Sequence, residues 1–412
     1  MTTNKCPRGT RLAGWFAGAL LVCGLLQTAA WAAKPIPIGV MAPEKLADGR
    51  AIMHAAQLAV DQINAAGGVN GRNLKLYKFD DKASGANAVR ALKRAVDEDH
   101  VKAMVGVFIS EVALAVEPWA GRLHTPFIIT GSLSTKVAQN IHDHYNRDKY
   151  VFQAQENSKF VAESICHELH ALVVKKLHYS RAVILHEQAA FALPMANEYR
   201  RCLPRAGLKV VDEIAFSRSE NDFTPIFDQV EKDHAQVAVT AVGINGTRPV
   251  VQWHQQQAPF LLAGQDADAT DPHFWRDTNG AAQGVLEHTF GAGVALTSKS
   301  VSFYRAYKAR FHEAPADLGY PAYDGVYILK AAIERAGSVQ PDALVKALEK
   351  TNMDGVTGHI AFYGRHSRYT HGKKYQRGVL FQWQHGKQVV LLPGKVSQGH
   401  LKVPAFVRPH GN

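Results

Sequence analysis

A single βαβ unit near the start of the chain limits the folds that this sequence can adopt. The strand-like residues 36–43 lead into a helical pattern that ends at Gly67-Gly68, and a turn at Asn70-Gly71 precedes a second strand that reaches Asp80-Asp81. Glycine tolerates the left-handed backbone at the end of a helix, and Asn-Gly favours a turn. Because ligands in open α/β sheets bind beyond the carboxyl ends of the strands, we expect the loop at residues 44–50 to lie at a binding site.

Strand and helix patterns keep alternating after this unit. Apolar runs predict further strands at 102–107, 126–130, 150–154, 182–186, 208–214, 237–242 and 260–263. Helical patterns lie between them, including a long helix at 157–176 and a helix that begins at Thr224-Pro225. Beyond Thr297 the order changes to three helices and then three strands, at 300–312, 323–336, 341–351, 359–363, 378–384 and 389–393. With 412 residues, this order predicts an α/β protein with two doubly wound parallel-sheet lobes.

Residues 1–32 have the composition of a secretory signal peptide. Lys5, Arg8 and Arg11 precede an apolar run at 12–26, and Ala30-Trp31-Ala32 fits a cleavage site with small residues. The apolar run is too short to span a membrane comfortably. We therefore predict cleavage after residue 32 and export of the mature chain, to the periplasm where the cell has two membranes.

The charge balance does not indicate a nucleic-acid partner. The chain carries a formal net charge of +11, which falls by three to +8 when the predicted signal peptide is removed. Lysines and arginines are scattered among acidic residues, and the sequence has no basic helix and no array of alternating basic and aromatic residues. Export also argues against DNA as a partner. We predict a solvated basic surface and no nucleic-acid binding.

Two cysteines, Cys166 and Cys202, remain after the predicted cleavage. In an oxidising compartment they can pair, and the loop that a bridge closes would stabilise the fold by about 4 kcal/mol. The alternative is a pair of buried thiols, and the spacing of the two residues does not decide between these interpretations.

Histidine pairs in the chain do not form a recognisable catalytic or metal site. His167 and His170 stand at i and i+3 on a predicted helix, whereas the zinc-protease motif places its histidines at i and i+4. His186 and Glu187 are a candidate acid–base pair, but no third group positions them. The sequence also lacks a phosphate-binding glycine loop and a nucleophile elbow. We predict no enzyme activity, no metal site and no cofactor.

Four segments together carry a resemblance to a known family. They are NAAGGVNGRNLKL (64–76), VGVFIS (105–110), PAYDGVYILKAAIERAG (321–337) and GVTGHIAF (355–362). In this order they resemble the periplasmic solute-binding proteins of the leucine/isoleucine/valine-binding type, which serve ABC importers. The resemblance implies the type I periplasmic-binding fold, in which a three-segment hinge joins two lobes that close on a ligand. It implies a first lobe of residues 33–153 and 288–357, and a second lobe of residues 154–287 and 358–412.

The resemblance implies that three serines of the first lobe bind a ligand carboxylate. Ser110 follows a predicted strand at the start of a helix, where the N–H groups at the positive end of the helix dipole suit an anion. Ser132 and Ser134 stand at the next strand–helix junction, where the family places a small residue and a threonine. The alternative for each serine is an ordinary helix cap.

In the second lobe the resemblance implies two ligand contacts, and the chain departs from the family pattern at the first loop of the first lobe and in the hinge. Phe191 stands at a tyrosine of the family and would cover an apolar ligand, unless it is only a core residue. Asp266 resembles the glutamate that pairs with a ligand ammonium, although it is shorter and lies in an acidic loop. Asp48 replaces an aromatic residue of the first loop, and the hinge at 151–158 lacks an arginine and an aspartate of the family. These departures move the charges of the site, and Asp48 is a further candidate ligand contact.

The resemblance therefore implies a solute-binding protein. We expect the substrate-binding component of an ABC importer, which captures a small carboxylate- or amide-bearing solute between its lobes and presents it to a permease in the inner membrane. We expect the protein to be a monomer. The alternative is a periplasmic sensor that passes its signal to a membrane receptor or sensor kinase.

Overall fold

The computed structural model describes residues 34–362 and 378–407, which form two large sheets covered by helices and a separate two-stranded sheet of β11 (Asn352–Asp354) and β12 (His359–Ala361). The predicted signal peptide, the end of the strand predicted at 359–363 and residues 408–412 lie outside the described residues. The strands are β1 (Ile36–Ala42), β2 (Leu74–Asp80), β3 (Met104–Gly106), β4 (Phe127–Ile129), β5 (Val151–Gln153), β6 (Arg181–Glu187), β7 (Lys209–Phe216), β8 (Val237–Val242), β9 (Leu261–Asp266), β10 (Leu286–Thr289), β11 (Asn352–Asp354), β12 (His359–Ala361), β13 (Val379–Gln384) and β14 (Lys387–Leu392). The helices are α1 (Ala47–Ala65), α2 (Gly85–Asp97), α3 (Ser110–Arg122), α4 (Thr135–Asp143), α5 (Tyr145–Asp148), α6 (Ser158–Leu169), α7 (Lys175–Leu177), α8 (Ala192–Cys202), α9 (Thr224–Lys232), α10 (Thr247–Gln255), α11 (Phe274–Asp277), α12 (Ser300–Phe311), α13 (Gly319–Ala336) and α14 (Pro341–Leu348).

The first sheet has five parallel strands in the order β2-β1-β3-β4-β5. Helices cover both of its faces, so successive side chains of β1 enter different cores: Ile38 and Val40 pack in one buried cluster, and Met41 packs in another. The strand order reverses direction between β1 and β3. The carboxyl ends of these two strands form a topological switch point, which is where doubly wound sheets bind ligands.

The second sheet repeats this arrangement and adds a hairpin. Its seven strands lie in the order β14-β13-β10-β9-β8-β6-β7, and the five strands from β6 to β10 are parallel. The last two strands run antiparallel at the edge, joined by a tight turn in which His385 and Gly386 both have positive φ. Here the order reverses between β6 and β8, which gives the second sheet its own switch point.

The chain passes between the two sheets three times. It leaves the first sheet after β5, and it leaves the second sheet after β10 to form helices that return to the first sheet, since α13 packs on α1, β3 and β4. It then rejoins the second sheet at β13. We call the first sheet with its helices the first lobe, and the second sheet with its helices the second lobe. The predicted α/β fold with two parallel-sheet lobes and a three-segment hinge is confirmed.

Several predicted elements differ from the observed ones. The loop expected at 44–50 is shorter, because α1 begins at Ala47. The helix predicted at 157–176 is continuous but contains a π-helical segment, His170–Val174, between α6 and α7. The helix predicted at 323–336 begins earlier, at Gly319, because the first turn of a helix tolerates Pro321.

A disulfide joins two helices of the second lobe. The sulfur atoms of Cys166 on α6 and Cys202 on α8 lie 1.99 Å apart, and the Cα atoms lie 6.0 Å apart. The bridge ties α6, which follows the first hinge segment, to α8, which begins next to Phe191.

Among residues 34–362 and 378–407, no helix has both the length and the hydropathy to cross a membrane.

Candidate functional site

A cavity lies where the switch points of the two sheets face each other. It contains about 440 Å³ of atom-free space, part of which is open to solvent. We call its two sides the first-lobe wall and the second-lobe wall. The first-lobe wall consists of Asp48, Phe108, Ile109, Ser110, Gly131, Leu133, Asp317 and Leu318. The second-lobe wall consists of Phe191, Arg218, Val242, Gly243, Ile244, Gln265 and Ala267.

A serine hydroxyl of the first-lobe wall, that of Ser110, is held by a second serine, Ser132, which lies behind the wall and does not line the cavity. Ser110 is the first residue of α3 and is only 4% exposed, and the hydroxyl of Ser132 donates a hydrogen bond to Ser110 Oγ at 3.0 Å. The hydroxyl proton of Ser110 therefore remains available to a ligand. The first N–H groups of α3 have no acceptor within the helix, and they add donors and positive dipole at the same place. This arrangement suits a carboxylate or another acceptor of hydrogen bonds.

The hinge holds the Ser132 loop in position. The side-chain amides of Gln153 and Gln155 both donate to the carbonyl oxygen of Ser132, at 2.7 and 2.6 Å. The Ser158 hydroxyl lies within hydrogen-bonding distance of the carbonyl oxygens of Leu133 and Phe191, at 2.8 and 2.7 Å. The hinge lacks the arginine and the aspartate of the family, and neutral amides and a hydroxyl orient loops of both walls.

Ser134 does not line the cavity. Its hydroxyl accepts the backbone N–H of Lys136 at 3.2 Å and so caps α4. Its own N–H lies 3.4 Å from Ser132 Oγ. Of the two interpretations of this residue, the geometry supports the helix cap and does not support direct contact with a ligand.

Phe191 lies on the second-lobe wall, as the resemblance implied. Its ring packs over Gly243 so closely that a Cβ at that position would lie 2.9 Å from Phe191 Cε1. The glycine therefore allows the ring to lie flat beside the cavity. With Phe108, Ile109 and Leu133 on the opposite side, the ring makes the middle of the cavity apolar.

Asp266 does not line the cavity, so its predicted contact with a ligand is not supported. Successive residues of a strand point to opposite faces, and at the end of β9 it is Gln265 that faces the cavity. Asp266 lies behind the wall, where its carboxyl group packs against Gly246 and accepts the N–H of Asp268 at 3.1 Å. Burial, with the charge of Asp268, raises the pKa of Asp266 well above its ordinary value.

Asp48 lies on the first-lobe wall next to an acidic residue that the sequence analysis missed, Asp317. Asp48 Oδ1 accepts the N–H of Leu318 at 2.9 Å, and Asp317 Oδ1 accepts the hydroxyl of Thr289 and the N–H of Phe290 at 2.7 and 2.5 Å. Burial, with the charge of Asp317, raises the pKa of Asp48 well above its ordinary value. Asp317 lies two residues before the first residue of α13, Gly319, so the start predicted for this helix at residue 323 left Asp317 away from any helix start.

Arg218 is a second residue that the sequence analysis missed, and it connects the two walls. It comes from the loop after β7 and binds Glu187 of the second lobe and, at 2.9 and 3.0 Å, both carboxylate oxygens of Glu111 of the first lobe. Glu111 also accepts the N–H of Ala190 at 2.9 Å. Although burial opposes its ionisation, these hydrogen bonds hold the pKa of Glu111 below its ordinary value. The lobes are thus in contact across the mouth of the cavity.

The candidate acid–base pair does not face the cavity. Glu187 is fully buried and accepts the N–H groups of Gly243 and Ile244 besides its bond to Arg218. His186 Nε2 lies 3.3 Å from Glu213 instead. Within residues 34–362 and 378–407, no group of three or more histidine, cysteine, aspartate or glutamate side chains has the geometry of a metal site. The arrangement offers binding groups to a ligand and no nucleophile with its base.

A protein family and a curated relative match most of this chain. Residues 36–388 match the model of the periplasmic binding protein family. An amino acid binding protein from Pseudomonas aeruginosa is 26% identical over 351 residues, which make up 82% of this chain and 89% of that protein.

Solved structures of similar fold bind different solutes. The branched-chain amino acid transporter substrate binding protein LivJ from Streptococcus pneumoniae, in complex with isoleucine, is 21% identical, has a TM-score of 0.74 and is matched over 86% of this chain and 97% of that chain. A solute binding protein of an ABC transporter from R. palustris, in complex with benzoate, is 15% identical, has a TM-score of 0.74 and is matched over 90% and 99%. At such identities the likeness shows the fold alone. Because the family model covers most of its length, this chain belongs to the periplasmic binding protein family, with the type I fold of the leucine/isoleucine/valine-binding type.

Proposed function

We propose that this protein is the substrate-binding component of an ABC importer, which captures a small carboxylate- or amide-bearing solute in the cavity between its lobes. The observation that carries the proposal is the hydroxyl of Ser110, which faces the cavity at the start of α3 and accepts a hydrogen bond from Ser132 behind it. A carboxylate or amide oxygen is the group that such a donor binds best.

The similar structures support a ligand that carries a carboxylate, and they do not determine the rest of the ligand. One similar structure holds isoleucine and another holds benzoate, and both solutes carry a carboxylate. In this chain the middle of the cavity is apolar, through Phe108, Phe191 and Val242 among others. We therefore propose a solute with an acidic or amide end, bound by the first-lobe wall, and an apolar body against the Phe191 ring.

The protein would capture the solute because only the closed form brings both walls into contact with it. The first-lobe wall offers the Ser110 hydroxyl, and the second-lobe wall brings Phe191 and Gln265 over the same space. A solute that touches both walls binds the closed form better than the open form, so it shifts the population toward closure. The permease would then bind the closed form, in which both lobes present their outer surfaces in a fixed relation.

The proposal includes the site of action. We propose that residues 1–32 direct export, that the mature protein acts in the periplasm as a monomer and that its partner is a permease in the inner membrane. The membership of the periplasmic binding protein family supports this placement. No catalysis is required of the protein, because the solute is released unchanged to the permease.

A ligand panel tests the proposal. Thermal unfolding of the purified protein is measured with small carboxylates, amides, sugars and amines, and one of the first two classes is expected to raise Tm. The Ser110→Ala variant should lose that rise, whereas Ser302→Ala, an exposed serine of α12, should keep it. Stabilisation by sugars alone, or an unchanged response of the Ser110 variant, would contradict the proposal. Loss of uptake of the same solute on deletion of the gene then tests the transport role.

A further inference from the structure

A buried histidine, His288, lies where the connections between the two lobes meet. It is the third residue of β10 and is 1% exposed, and the second hinge segment begins two residues later, at Phe290. The chain enters the second lobe again at Gly378, directly before β13, and a Cβ at this glycine would lie 2.3 Å from His288 Nε2. Glu168 Oε2, on the helix that follows the first hinge segment, lies 3.0 Å from His288 Nδ1. Each connection therefore passes beside this imidazole or leads to its carboxylate partner.

Three carboxylates from different parts of the molecule act on His288. Glu168 belongs to α6 of the second lobe, Glu156 to the first hinge segment, and Asp317 to the first-lobe wall. All three are at most 7% exposed. Burial opposes the protonation of His288, but the charges of these carboxylates, above all that of Glu168, outweigh it and raise the pKa of His288 above its ordinary value.

The other elements packed around His288 do not supply a competing charge. β13 places Leu380 opposite it. On β10 itself, Glu287 points to the other face of the strand, where its carboxyl group accepts the N–H of Asp266 at 2.8 Å. Tyr199 of α8 is close enough to be affected by Glu168, but burial raises the pKa of this phenol well above its ordinary value and keeps it neutral.

We infer that protonation of His288 favours closure of the two lobes, so that the hinge responds to pH. The inference rests on the proposed capture of a solute by closure and adds a regulation of that movement. Glu168 belongs to the same lobe as His288 and moves with it. Glu156 and Asp317 belong to a hinge segment and to the other lobe, so bending of the hinge changes their distances from the imidazole. A protonated His288 therefore gains most from the closed form, in which all three carboxylates lie around it.

The direction of the response follows from the linkage between protonation and closure. A group whose pKa is higher in the closed form than in the open form takes up protons on closure. Because the carboxylates raise the pKa of His288 in the closed form, closure is favoured at low pH, and this advantage is lost as the pH rises through the raised value. An exported protein meets the pH of its surroundings, so the response would strengthen capture in an acidic medium.

Small-angle X-ray scattering of the ligand-free protein tests the inference, because the radius of gyration falls when two lobes close. We expect a smaller radius of gyration at pH 5.5 than at pH 8.5. His288→Asn keeps an N–H donor for Glu168 and has no titrating group, whereas Glu168→Gln keeps the shape of the partner and removes its charge. Each variant should reduce the difference between the two pH values to less than half of the wild-type difference.

The control is Glu117→Gln, which removes an ionisable group that titrates in the same range but lies outside the hinge. Burial raises the pKa of Glu117 on α3 to about 8, and its carboxyl group accepts the side-chain amide of Asn140 at 2.9 Å. This variant should keep the whole wild-type difference. An equal loss in Glu117→Gln and His288→Asn would overturn the inference, because the response would then not depend on the hinge.

The remaining outcomes separate the inference from the proposed function. A wild-type radius of gyration that is the same at both pH values would overturn the inference, and so would a His288→Asn variant that responds like the wild type. Neither result bears on the ligand class, which the ligand panel decides without reference to His288. If His288→Asn does not fold, Glu168→Gln supplies the same comparison, because it retains the imidazole and removes the main cause of its raised pKa.

Discussion

The first-lobe wall of the cavity carries a serine hydroxyl, a helix start and two aspartates, whereas the second-lobe wall carries an aromatic ring, an amide and an arginine that is already ion-paired. The polar groups of the first wall are held by hinge amides and by the ends of helices that do not depend on a ligand. The second wall contributes mainly apolar surface and one unpartnered amide oxygen. We therefore propose a division of roles, in which the first lobe binds the acidic or amide end of the solute and the second lobe covers the rest of it and closes.

The largest effect is expected from substitutions at the first-lobe wall. The double substitution Ser110→Ala with Ser132→Ala removes the hydroxyl that faces the cavity and the one that orients it, and a hydrogen bond to a charged group contributes about 1.5–3 kcal/mol. We expect the affinity for the bound carboxylate, measured by calorimetry, to fall about 10- to 100-fold. Ser302→Ala serves as the control. A loss below about threefold would assign recognition to the second wall.

A smaller effect is expected in β9, where the neighbouring residues Gln265 and Asp266 point to opposite faces of the strand and can be substituted separately. Gln265→Leu removes the amide that faces the cavity and should weaken binding about tenfold, the effect of one hydrogen bond to a charged group. Asp266→Asn changes the residue behind the wall and should alter affinity by less than about twofold. The two variants are each other's control, and the opposite ranking would show that the carboxyl group of Asp266 reaches the ligand.

The pH dependence of stability provides a separate test of the position of Asp266. Because burial raises its pKa in the folded state, Asp266 favours folding at low pH, and this contribution is lost as the pH rises through the raised value. Asp266→Asn replaces the titrating carboxyl group with a neutral amide, so the variant does not lose this stability as the pH rises. We expect the Tm of the variant relative to the wild type to increase as the pH rises from 4 to 8. A difference that is constant across this range would contradict the buried placement.

The smallest effect is expected at the contact between the walls. Glu111→Gln breaks the ion pair with Arg218, and such partly exposed pairs contribute about 0.2–1 kcal/mol. Affinity should fall about two- to fivefold and become less sensitive to salt, because closure loses an electrostatic contact. Glu163→Gln is a matched control, since Glu163 is similarly exposed but pairs with Arg201 within the second lobe. Equal effects of the two variants would mean that the Glu111 contact does not assist closure.

Much of the fold could be predicted from local patterns. The strand expected at 237–242 is observed at the same residues as β8, because a fully buried strand reads as an uninterrupted apolar run. β10 was not predicted, since its sequence LEHT has buried polar residues that interrupt any such run. The apolar pattern of the sequence therefore identified strands that bury apolar side chains, and it missed a strand that buries polar side chains.

Residues that line the cavity could be predicted only where the place of a residue within one strand or helix fixes the direction of its side chain. Ser110 lines the cavity, and its place could be predicted because a serine between a strand and a helix must lie at the helix start. Asp266 does not line the cavity, because a shift of one residue on a strand reverses the face and a motif resemblance does not determine which face a residue takes. Arg218 and Asp317 were missed because they reach the cavity from distant segments, and only the packed fold brings them there.

The most direct test of the account is native mass spectrometry of the protein purified from its own host, because it needs no assumption about the ligand. The account predicts a bound solute in a one-to-one complex, whose released mass corresponds to a small acid or amide, and its absence from the Ser110→Ala, Ser132→Ala double variant. A solute without a carboxyl or amide group, or one that the double variant retains as fully as the wild type, would contradict recognition by the first-lobe wall.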